Sequence, residues 1–479
     1  MTLPQSGVPS PLPNLRISPL SMCDEVGTVF LAPDRVFRGV RPEAVEATRS
    51  LLRSGLPDDL AARGLMPATR VSSVEIPGHP LVLEHPRLPV VSYPYEWSYG
   101  MLRDAAALVL EISELAGARG YELKDCHAYN VVFDGARPCY VDFGSLAARP
   151  PGTAGWPPRE EFMRSYVYPL RIWADGSEFM ARRLVAASDY MRHGDYGLYR
   201  WPFLRWAGAA QYQRIVGLWH RYHLLSRYSD EDLRRRLRPS FARLACAIKR
   251  RHWLPGQGIA LGRLRREVLG RRRRGQAGFW TDYQGSDAAF VETPRYRRVA
   301  ELVEQSGAVS VIELAGNQGR FGEELLRRGR VRQVLCTDAD EQAVDRGYER
   351  ARASRSALNT AVLDFICPMT SPFGESPALR LRAEAAIALA VSHHVLLTQK
   401  VPVERMLRHL GAFATKSVFV EFMPLGLWNG QVAPPVPDWY RLDWFREAFA
   451  REFTLWHEEP LEQNRHLFCG HVRNVRSEE

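Results

Sequence analysis

The feature that most constrains the fold is an apolar segment followed by glycines within residues 309–322. The apolar run at 309–314 has the length of a buried strand, and apolar side chains recur at helical spacing after the glycines. Gly316 and Gly319 allow a sharp turn and a close approach of a ligand to the backbone. The free N–H groups at the helix start favour anionic or polar ligand groups. The segment therefore predicts a strand, a ligand-binding turn and a helix.

A second segment makes the prediction more specific. Residues 331–337 predict a strand that ends at Asp338, 19 residues after Gly319. At this distance in a βαβ unit, an acidic residue accepts hydrogen bonds from the hydroxyl groups of a ribose. The two segments together indicate a nucleotide-like cofactor. A NAD-binding Rossmann domain is the structural rival, but the full G-x-G-x-x-G pattern is missing.

The sequence after Asp338 continues with alternating helices and strands, which predicts an α/β domain. Asp364 follows the third strand of the series, and His393 and His394 follow the fourth. The predicted helices lie at 341–351 and 401–410, and the predicted strands lie at 360–363, 385–391, 417–421, 453–458 and 466–472.

The residues from Phe279 to Arg473 resemble class I S-adenosylmethionine (SAM) dependent methyltransferases. The resemblance implies a Rossmann-like sheet of seven strands whose last hairpin is antiparallel. It rests on Trp280-Thr281-Asp282-Tyr283, Glu313 to Gly319, Asp338-Ala339-Asp340, Asp364, Ala388 to His394 and Val420-Glu421-Phe422-Met423-Pro424.

The same resemblance implies roles for individual residues. Glu313 and the turn at Gly316 and Gly319 would hold the methionine part of SAM, Asp338 the ribose and Asp364 the adenine. The sequence departs from the family in one place, since the usual pattern is acid-x-Gly-x-x-x-Gly. Here Ala315 stands at the first glycine, with Gly316 beside it.

Two histidines are candidates for removing a proton from the methyl acceptor. His393 and His394 follow a strand that ends at the sheet edge where SAM should bind. An imidazole titrates near neutral pH, so either residue could act as a general base.

The N-terminal half carries a second set of motifs. Asp125 and Asn130 have D-x-x-x-x-N spacing, and Asp142-Phe143-Gly144 begins 12 residues after Asn130. This block resembles the catalytic core of the protein-kinase-like and small-molecule kinase superfamily. The resemblance implies that Asp125 orients a hydroxyl while Asn130 and Asp142 hold Mg²⁺ against the phosphates of ATP. The preceding sequence predicts a hairpin at 27–38, helices at 43–52 and 101–115, and strands at 70–75 and 80–84.

Several parts of the kinase pattern are missing. No glycine-rich phosphate loop precedes Asp125, and no lysine precedes Lys124. Arg38 could replace the phosphate-binding lysine, with Glu46 as its partner on the following helix. Two interpretations stay open: a degenerate domain that is structural or presents a substrate, and a nucleotide-binding domain that would make the chain a bifunctional kinase–methyltransferase.

Length and charge suggest how these parts are divided. A chain of 479 residues with 46% apolar residues can bury two ordinary cores. Between 234 and 274 there are 15 Arg or Lys against one acid, so this stretch carries about +14 and the rest about −4. The predicted organisation is a flexible tail at 1–25, a kinase-like domain at 26–230, an Arg-rich helical linker at 231–275 and a methyltransferase domain at 276–479. We expect the methyltransferase domain to bind SAM in isolation.

Two stretches have a structural and a functional interpretation. The Arg-rich stretch is interpreted as a solvated linker, because no aromatic platform for nucleic acid accompanies it; a nucleic-acid patch is the alternative. The aromatic-rich residues 146–230 are interpreted as the core of a helical lobe, and a site for a sugar or planar ligand is the alternative.

The remaining features predict a cytoplasmic enzyme. No apolar run approaches the roughly 18 residues that span a bilayer, and the N-terminal residues lack the pattern of a secretory signal. Seven scattered cysteines without a C-x-x-C pair favour reduced thiols and no zinc site. The whole chain resembles bacterial methyltransferases with a similar N-terminal segment. We therefore expect methyl transfer from SAM to a hydroxyl of a small molecule or saccharide. A non-catalytic regulator that binds SAM or a nucleotide is the alternative. The sequence identifies neither the acceptor molecule nor the oligomeric state.

Overall fold

The chain forms two compact units in the computed structural model. Unit 1 comprises residues 1–88, 102–132 and 138–275, and unit 2 comprises 89–101, 133–137 and 276–479. The structure describes residues 15–18, 21, 24–151, 156–186, 191–200, 208, 210–214, 217, 230–252, 258–274, 278, 280–281, 284, 293–370, 375–428 and 430–473.

Unit 1 contains an antiparallel sheet of five strands in the order β1-β2-β3-β5-β4. The predicted hairpin is confirmed as β2 and β3, with Phe30 opposite Phe37. The short strand β1 pairs with β2 although it lies in the predicted flexible tail, so that prediction is wrong for this part. The strands are β1 (Arg16–Ile17), β2 (Gly27–Leu31), β3 (Arg35–Val40), β4 (Arg70–Val71) and β5 (Leu81–Pro86).

The helix predicted after β3 is present, but Pro42 opens a single 3₁₀ turn rather than the α-helix itself. The following α-helices are Val45–Arg53, Leu56–Ala62 and Tyr99–Ala118. Two small strand pairs come next in the chain. Strand β6 (Tyr121–Leu123) pairs with β9 (Leu146–Ala148) in unit 1, and β7 (Val131–Asp134) pairs with β8 (Arg137–Tyr140), whose residues 133–137 belong to unit 2.

The other elements that the structure describes in unit 1 are helices. Tyr168 and Tyr196 are buried and stack with their ring centroids 3.9 Å apart, which confirms the core interpretation for these aromatics; Tyr190, Trp201, Trp206, Trp219 and Tyr222 lie outside the described residues. The helices are Arg159–Phe162, Tyr168–Ala174, Glu178–Ala186, His193–Arg200, Asp230–Arg236, Pro239–His252 and Gly258–Gly270, with a π turn at Met163–Val167.

The described residues of the Arg-rich stretch are mostly helical, as predicted. They belong to unit 1 and do not form a separate linker. Leu233, Ala245 and Cys246 form a small buried cluster, and Leu261 and Val268 are buried as well. Its apolar side chains therefore contribute to the packing of the unit, while most of its arginines are partly or fully exposed.

Unit 2 contains the predicted seven-stranded sheet, in the order β12-β11-β10-β13-β14-β16-β15. The first five strands are parallel, and β16 is antiparallel to both β14 and β15. The expected antiparallel closing hairpin is therefore confirmed. The strands are β10 (Ser310–Leu314), β11 (Gln333–Asp338), β12 (Leu358–Val362), β13 (Ala383–Ala388), β14 (Ala414–Phe422), β15 (Phe453–Glu462) and β16 (Arg465–Val472).

The central strands are apolar on both sides because helices pack on both faces of a parallel sheet. One core cluster joins Ile312, Ala386 and Val418 of the sheet with Leu407 and Phe449 of two helices. The carboxyl ends of the five parallel strands lie at one edge of the sheet, where ligands of such folds bind. The helices of this unit are Pro294–Gln305, Arg320–Arg328, Glu341–Ser354, Pro377–Leu381, Val403–Ala412 and Leu442–Glu452.

Two segments from the first part of the sequence also belong to unit 2. The backbone N–H groups of Tyr99 and Gly100 donate to Glu341 Oε1 and Asp345 Oδ1, at 2.8 and 2.7 Å. The N–H of Gly135 donates to Asn359 Oδ1 at 3.1 Å. The predicted domain 276–479 therefore lacks parts of the unit that the structure contains. Across the described residues, no helix is long and apolar enough to cross a membrane.

Candidate functional site at the carboxyl ends of the parallel strands

The glycine turn follows β10 directly. Asn317 and Gly319 have positive φ angles of 54° and 73°. A Cβ added to Gly316 would lie 2.7 Å from Glu313 Cδ and 2.8 Å from Cys336 Sγ. A Cβ added to Gly319 would lie 2.9 Å from Cys336 Cβ. A side chain at either position would collide with Glu313 or with Cys336 of β11, so only glycine lets the turn pack this closely against the sheet.

Glu313 is buried between the turn and the helix that follows it. Its Oε2 accepts a hydrogen bond from the N–H of Gly322 at 3.1 Å, and only 4% of its surface is exposed. Burial raises the pKa of this carboxyl to about 8, and the nearby charge of Asp338 acts in the same direction. The structure thus places Glu313 where it supports the turn from within.

Asp338 is the last residue of β11 and lies beside the glycine turn. Its Oδ2 accepts from the N–H of Asn317 and its Oδ1 from the N–H of Asp340, both at 2.8 Å. Burial raises the pKa of the Asp338 carboxyl to about 6. Two loop N–H groups thus fix the carboxylate against the same turn that Gly316 and Gly319 form.

The segment before the helix Pro294–Gln305 contacts the glycine turn. The side-chain amide of Asn317 donates to the carbonyl oxygen of Trp280 at 2.8 Å, and that of Gln318 donates to the carbonyl oxygen of Thr281 at 2.9 Å. Gln284 donates from Nε2 to the carbonyl oxygen of Gly316 at 3.1 Å. Sequence reasoning assigned no role to these three amides. Asp282 and Tyr283 lie outside the described residues.

Asp340 connects this segment to the next helix. It caps Glu341–Ser354 by accepting from the N–H groups of Gln342 and Ala343, at 3.0 and 3.1 Å. The hydroxyl of Thr281 donates to Asp340 Oδ2 at 3.0 Å. A side-chain cap satisfies N–H groups that a helix start leaves without partners. Asp340 is therefore structural in its contacts, whereas Asp338 faces the turn.

Asp364 lies two residues beyond β12, at the same sheet edge. Its Oδ1 accepts from the N–H groups of Ile366 and Cys367, at 2.9 and 3.1 Å, so the side chain closes a local turn. The N–H of Leu363 donates to the backbone oxygen of Asp338 at 2.9 Å. The structure thus brings Glu313 and Asp338 to the same glycine turn, where they accept from the N–H groups of Gly322 and Asn317. Asp364 lies beyond the end of the neighbouring strand.

Ala315 adopts the left-handed conformation that glycine has at low cost, with φ of 56°. For an alanine this conformation is unfavourable by about 1–2 kcal/mol. Ala315→Gly removes this cost, but the greater freedom of glycine in the unfolded chain offsets part of the gain. The net expected effect is a rise of about 1 kcal/mol in the free energy of unfolding. Thermal melting measures the change, and Ala357→Gly, outside the turn, serves as a control. A lower Tm for Ala315→Gly would contradict the strain.

His393 and His394 follow β13 in a loop that leads into a π turn at His394–Thr398. Their ring centroids lie 4.0 Å apart, and the Trp280 ring meets His394 edge-on at 4.6 Å. His393 is 7% exposed, and its Nδ1 has no hydrogen-bond partner among the described residues. Burial, helped by His394 and Arg465, lowers the pKa of His393 to about 3. His393 is thus neutral at physiological pH and a weak base.

His394 is more accessible than His393, although burial also lowers its pKa. It forms the start of the π turn and contacts both Trp280 and His393. Isolated π turns within helices are frequent at functional sites. Of the two histidines, His394 is therefore the better placed to exchange a proton with a ligand.

A buried ion pair holds the loop that carries these histidines. Glu421 is fully buried and accepts from Arg295 Nε and Nη2, both at 2.6 Å. Arg465 Nη1 donates to Glu421 Oε2 at 3.1 Å, and the N–H of Ala390 donates to the same oxygen at 2.9 Å. Burial favours a high pKa for Glu421, but the ion pairs with Arg295 and Arg465 outweigh it and keep the pKa below its usual value. Sequence reasoning missed both arginines.

The residues of the kinase-like motif also come together, within unit 1. Asn130 Nδ2 donates to Asp125 Oδ1 at 2.5 Å. Arg38 Nη2 donates to Asp142 Oδ1 at 3.0 Å, and Arg38 Nη1 pairs with Asp24. The proposed partnership of Arg38 with Glu46 is wrong, because Glu46 instead pairs with Arg53 on the surface at 2.6 Å.

Comparisons with known proteins return one curated relative and many solved structures. No family model matches the chain. The chain is 26% identical over 368 residues to nodulation protein NoeA of Rhizobium meliloti strain 1021, covering 72% of this chain and 71% of the relative. Since 368 residues exceed either half of the chain, the similarity includes residues from both.

Solved structures are similar to a smaller part of the chain. Magnesium protoporphyrin IX methyltransferase (ChlM) from Synechocystis PCC 6803 with bound SAM is 13% identical, covering 42% of this chain and 86% of that one, with a TM-score of 0.29. N-methyltransferase NodS from Bradyrhizobium japonicum WM9 is 9% identical, covering 38% of this chain and 98% of that one, with a TM-score of 0.28.

Proposed function

We propose that the chain is a SAM-dependent methyltransferase that acts on a hydroxyl group of a small molecule or saccharide. The observation that carries the proposal is the contact between the glycine turn and Asp338 at two adjacent strand ends, where Asp338 accepts from the N–H of Asn317. A glycine turn beside a fixed carboxylate is suited to a ligand that combines a polar chain with a ribose.

The residues at the turn fit SAM by a further criterion. Asn317 Oδ1 is buried and has no hydrogen-bond partner among the described residues. An unpaired buried acceptor is unfavourable unless a ligand or water donates to it, and the ammonium group of SAM is such a donor. Asp338 would accept from the ribose hydroxyls and Asp364 would lie near the adenine. SAM supplies an electrophilic methyl group, and the chain's residues bind and orient the acceptor beside it.

For the acceptor, we propose that His394 removes the hydroxyl proton while the neutral His393 positions a polar group by hydrogen bonding. His393 Nδ1 is buried and lacks a partner among the described residues, and His394 contacts Trp280 of the segment that lies on the glycine turn. Positioning alone contributes strongly to such transfers, so the base adds to an effect that proximity already provides.

The affinity for S-adenosylhomocysteine (SAH) is expected to depend on pH through Asp338. Its pKa in the free protein is about 6, and only the ionised carboxylate accepts two ribose hydrogen bonds. The affinity should therefore be constant above about pH 6 and fall by up to about tenfold per pH unit below it, because binding then requires release of the proton. Calorimetry across this range measures the effect; Asp338→Asn should flatten the profile, and an unchanged profile in this variant would assign the pH dependence to another group.

Turnover separates an enzyme from a regulator that binds SAM without reaction. Cells lacking the gene and wild-type cells can be compared by untargeted mass spectrometry for a compound that differs by one methylene unit. That compound, incubated with the purified full chain and SAM, should yield SAH and the methylated product in equal amounts. His394→Ala should lower the rate while SAH affinity stays the same. SAH binding without any methylene-shifted compound would favour the regulator.

For unit 1, both hypotheses from the sequence remain proposals: a structural or substrate-presenting domain, and an ATP- and Mg²⁺-binding domain that would make the chain bifunctional. The contacts of Arg38 with Asp24 and Asp142 favour the former. The cytosolic location remains a proposal as well, consistent with the six described cysteines, none of which forms a disulfide.

A further inference from the structure

Arg38 of β3 has its charged group buried among acidic residues of unit 1. Its side chain is 5% exposed, and its two terminal nitrogens are each engaged by a different carboxylate, Asp24 and Asp142. Guanidinium groups stay charged in proteins, so a buried one needs counter-charges with good geometry. Here both partners are themselves largely enclosed, with side-chain exposures of 17% and 22%.

The turn after Asp142 is shaped around this guanidinium. A Cβ added to Gly144 would lie 2.9 Å from Arg38 Nη1, 3.2 Å from Asp24 Oδ1 and 3.3 Å from Asp142 Oδ1. The N–H of Gly144 donates to Asp142 Oδ1 at 3.1 Å, so that oxygen already has two donors. The arginine, the two carboxylates and the glycine therefore fill one compact space.

The arrangement does not fit Mg²⁺. Magnesium requires six oxygen ligands at about 2.0–2.1 Å and usually retains several waters. The space beside Asp142 holds a guanidinium instead, whose positive charge repels a divalent cation. Among the residues that the structure describes, no group of three or more Asp, Glu, His or Cys side chains is placed to hold a metal ion.

The other two residues of the motif are also engaged internally. Asn130 turns its amide nitrogen toward Asp125 at 2.5 Å, and Ser145 donates from Oγ to the backbone oxygen of Asp125 at 3.0 Å. The N–H of Asp125 in turn donates to Ser145 Oγ at 3.1 Å. These bonds tie the segment at Asp125 to the turn that follows Asp142.

We infer that Arg38 is a built-in counter-ion that takes the place of a divalent cation between Asp24 and Asp142. The cluster joins the segment before β2, the strand β3 and the turn at Gly144 into one structural unit. It does so without a metal, and unit 1 does not bind ATP with Mg²⁺ at this cluster.

The first test uses the unmodified full chain. Its thermal melting is followed with and without MgCl₂, with ATP alone and with both. No shift beyond the scatter of the method is expected in any condition. A rise in Tm that requires both ATP and Mg²⁺, and that Asp142→Asn abolishes, would overturn the inference.

The second test removes the counter-ion. Arg38→Ala should lower the Tm of unit 1 by on the order of 10 °C, because two buried carboxylates lose their partner. Millimolar Mg²⁺ or Mn²⁺ should then restore part of the loss, since the two carboxylates now favour a cation. Adding Asp142→Asn to Arg38→Ala should remove the response to the cation. An unchanged Tm in Arg38→Ala, or a lowered Tm without any response to the cations, would also overturn the inference.

Two further variants control for general effects. Arg35→Ala changes the same strand but removes only partly exposed contacts, with a side chain that is 41% exposed; it should lower the Tm by only a few degrees and give no cation response. Arg38→Lys keeps the charge and should melt closer to the wild type, also without a cation response. If Arg38→Ala does not fold, Arg38→Lys decides: a cation response in this variant contradicts the counter-ion role, and its absence together with an unresponsive wild type supports it.

Discussion

Replacing Glu96 with Ala is expected to lower the free energy of unfolding of unit 2 by about 3–5 kcal/mol, the usual cost of leaving one partner of a buried ion pair alone. The side chains of Arg380 and Glu96 are only 4% and 2% exposed. Arg380 Nη1 donates to Glu96 Oε2 at 2.9 Å, and the guanidinium lies 3.9 Å from the centroid of the Tyr93 ring. Without Glu96, a buried arginine keeps its charge but loses its carboxylate.

Chemical denaturation of the full chain, followed by a signal from unit 2, measures this loss. Lys416→Ala is the matched control, because its ion pair with Glu384 has a lysine side chain that is 53% exposed. Surface pairs of this kind contribute only about 0–1 kcal/mol. Equal losses in the two variants would contradict the account of a buried pair.

The same contacts change the expected behaviour of the isolated C-terminal segment. The sequence favours independent SAM binding by a fragment beginning near Gln276, but that fragment lacks Glu96 and leaves Arg380 without its carboxylate. It also lacks Trp97, which is fully buried. We therefore expect the fragment 276–479 to melt without cooperativity and to lose SAH binding, whereas the full chain binds.

The second large effect is expected at Glu421. Glu421→Ala leaves Arg295 buried without its carboxylate, which again costs about 3–5 kcal/mol of stability. Because the N–H of Ala390 donates to Glu421, the loop that carries His393 also loses an anchor. Hydrogen exchange should therefore become faster in the peptide that covers residues 389–395.

A control for this variant is Arg327→Ala, which removes a pair on a helix surface where the arginine is 75% exposed. That change should leave both the stability and the exchange of residues 389–395 close to the wild type. If amide hydrogen exchange in residues 389–395 were as slow in Glu421→Ala as in the wild type, the loop would not depend on Glu421.

The sheet of unit 2 follows from sequence patterns that depend on local chain geometry. The apolar run at 309–314 predicts a strand, the glycines predict a turn, and Asp338 marks the end of the next strand. The structure contains these elements, with β10 and β11 paired in parallel. Ala315 illustrates the limit of such patterns. The left-handed φ that a glycine would show is present at an alanine, because the turn geometry is imposed by its neighbours.

The supports of the site could not be predicted, because they join residues far apart in the sequence. Arg295 and Glu421 are separated by 126 positions, and Arg380 and Glu96 by 284. An arginine in an arginine-rich chain gives no local signal that it is buried. The assignment of 89–101 to unit 2 likewise depends on packing, which periodicity does not reveal.

In unit 1, the residue types of the kinase-like motif indicated which side chains would meet, and Asp125 contacts Asn130. The partner of Arg38 was a different matter. Helix position alone suggested Glu46, but the partner is Asp24, which lies in the predicted flexible tail. No local pattern showed that this carboxylate would pair with a buried arginine.

Titration of SAH into the full chain by calorimetry, with wild type and Asp338→Ala compared at pH 8, tests the proposed cofactor site most directly. The wild type is expected to bind one SAH per chain, and the variant to bind more weakly by about 1–3 kcal/mol, since the charge-assisted hydrogen bonds to the ribose are lost. Absence of binding by the folded wild type, or full affinity in the variant, would contradict the assignment of the glycine turn and Asp338 to SAM.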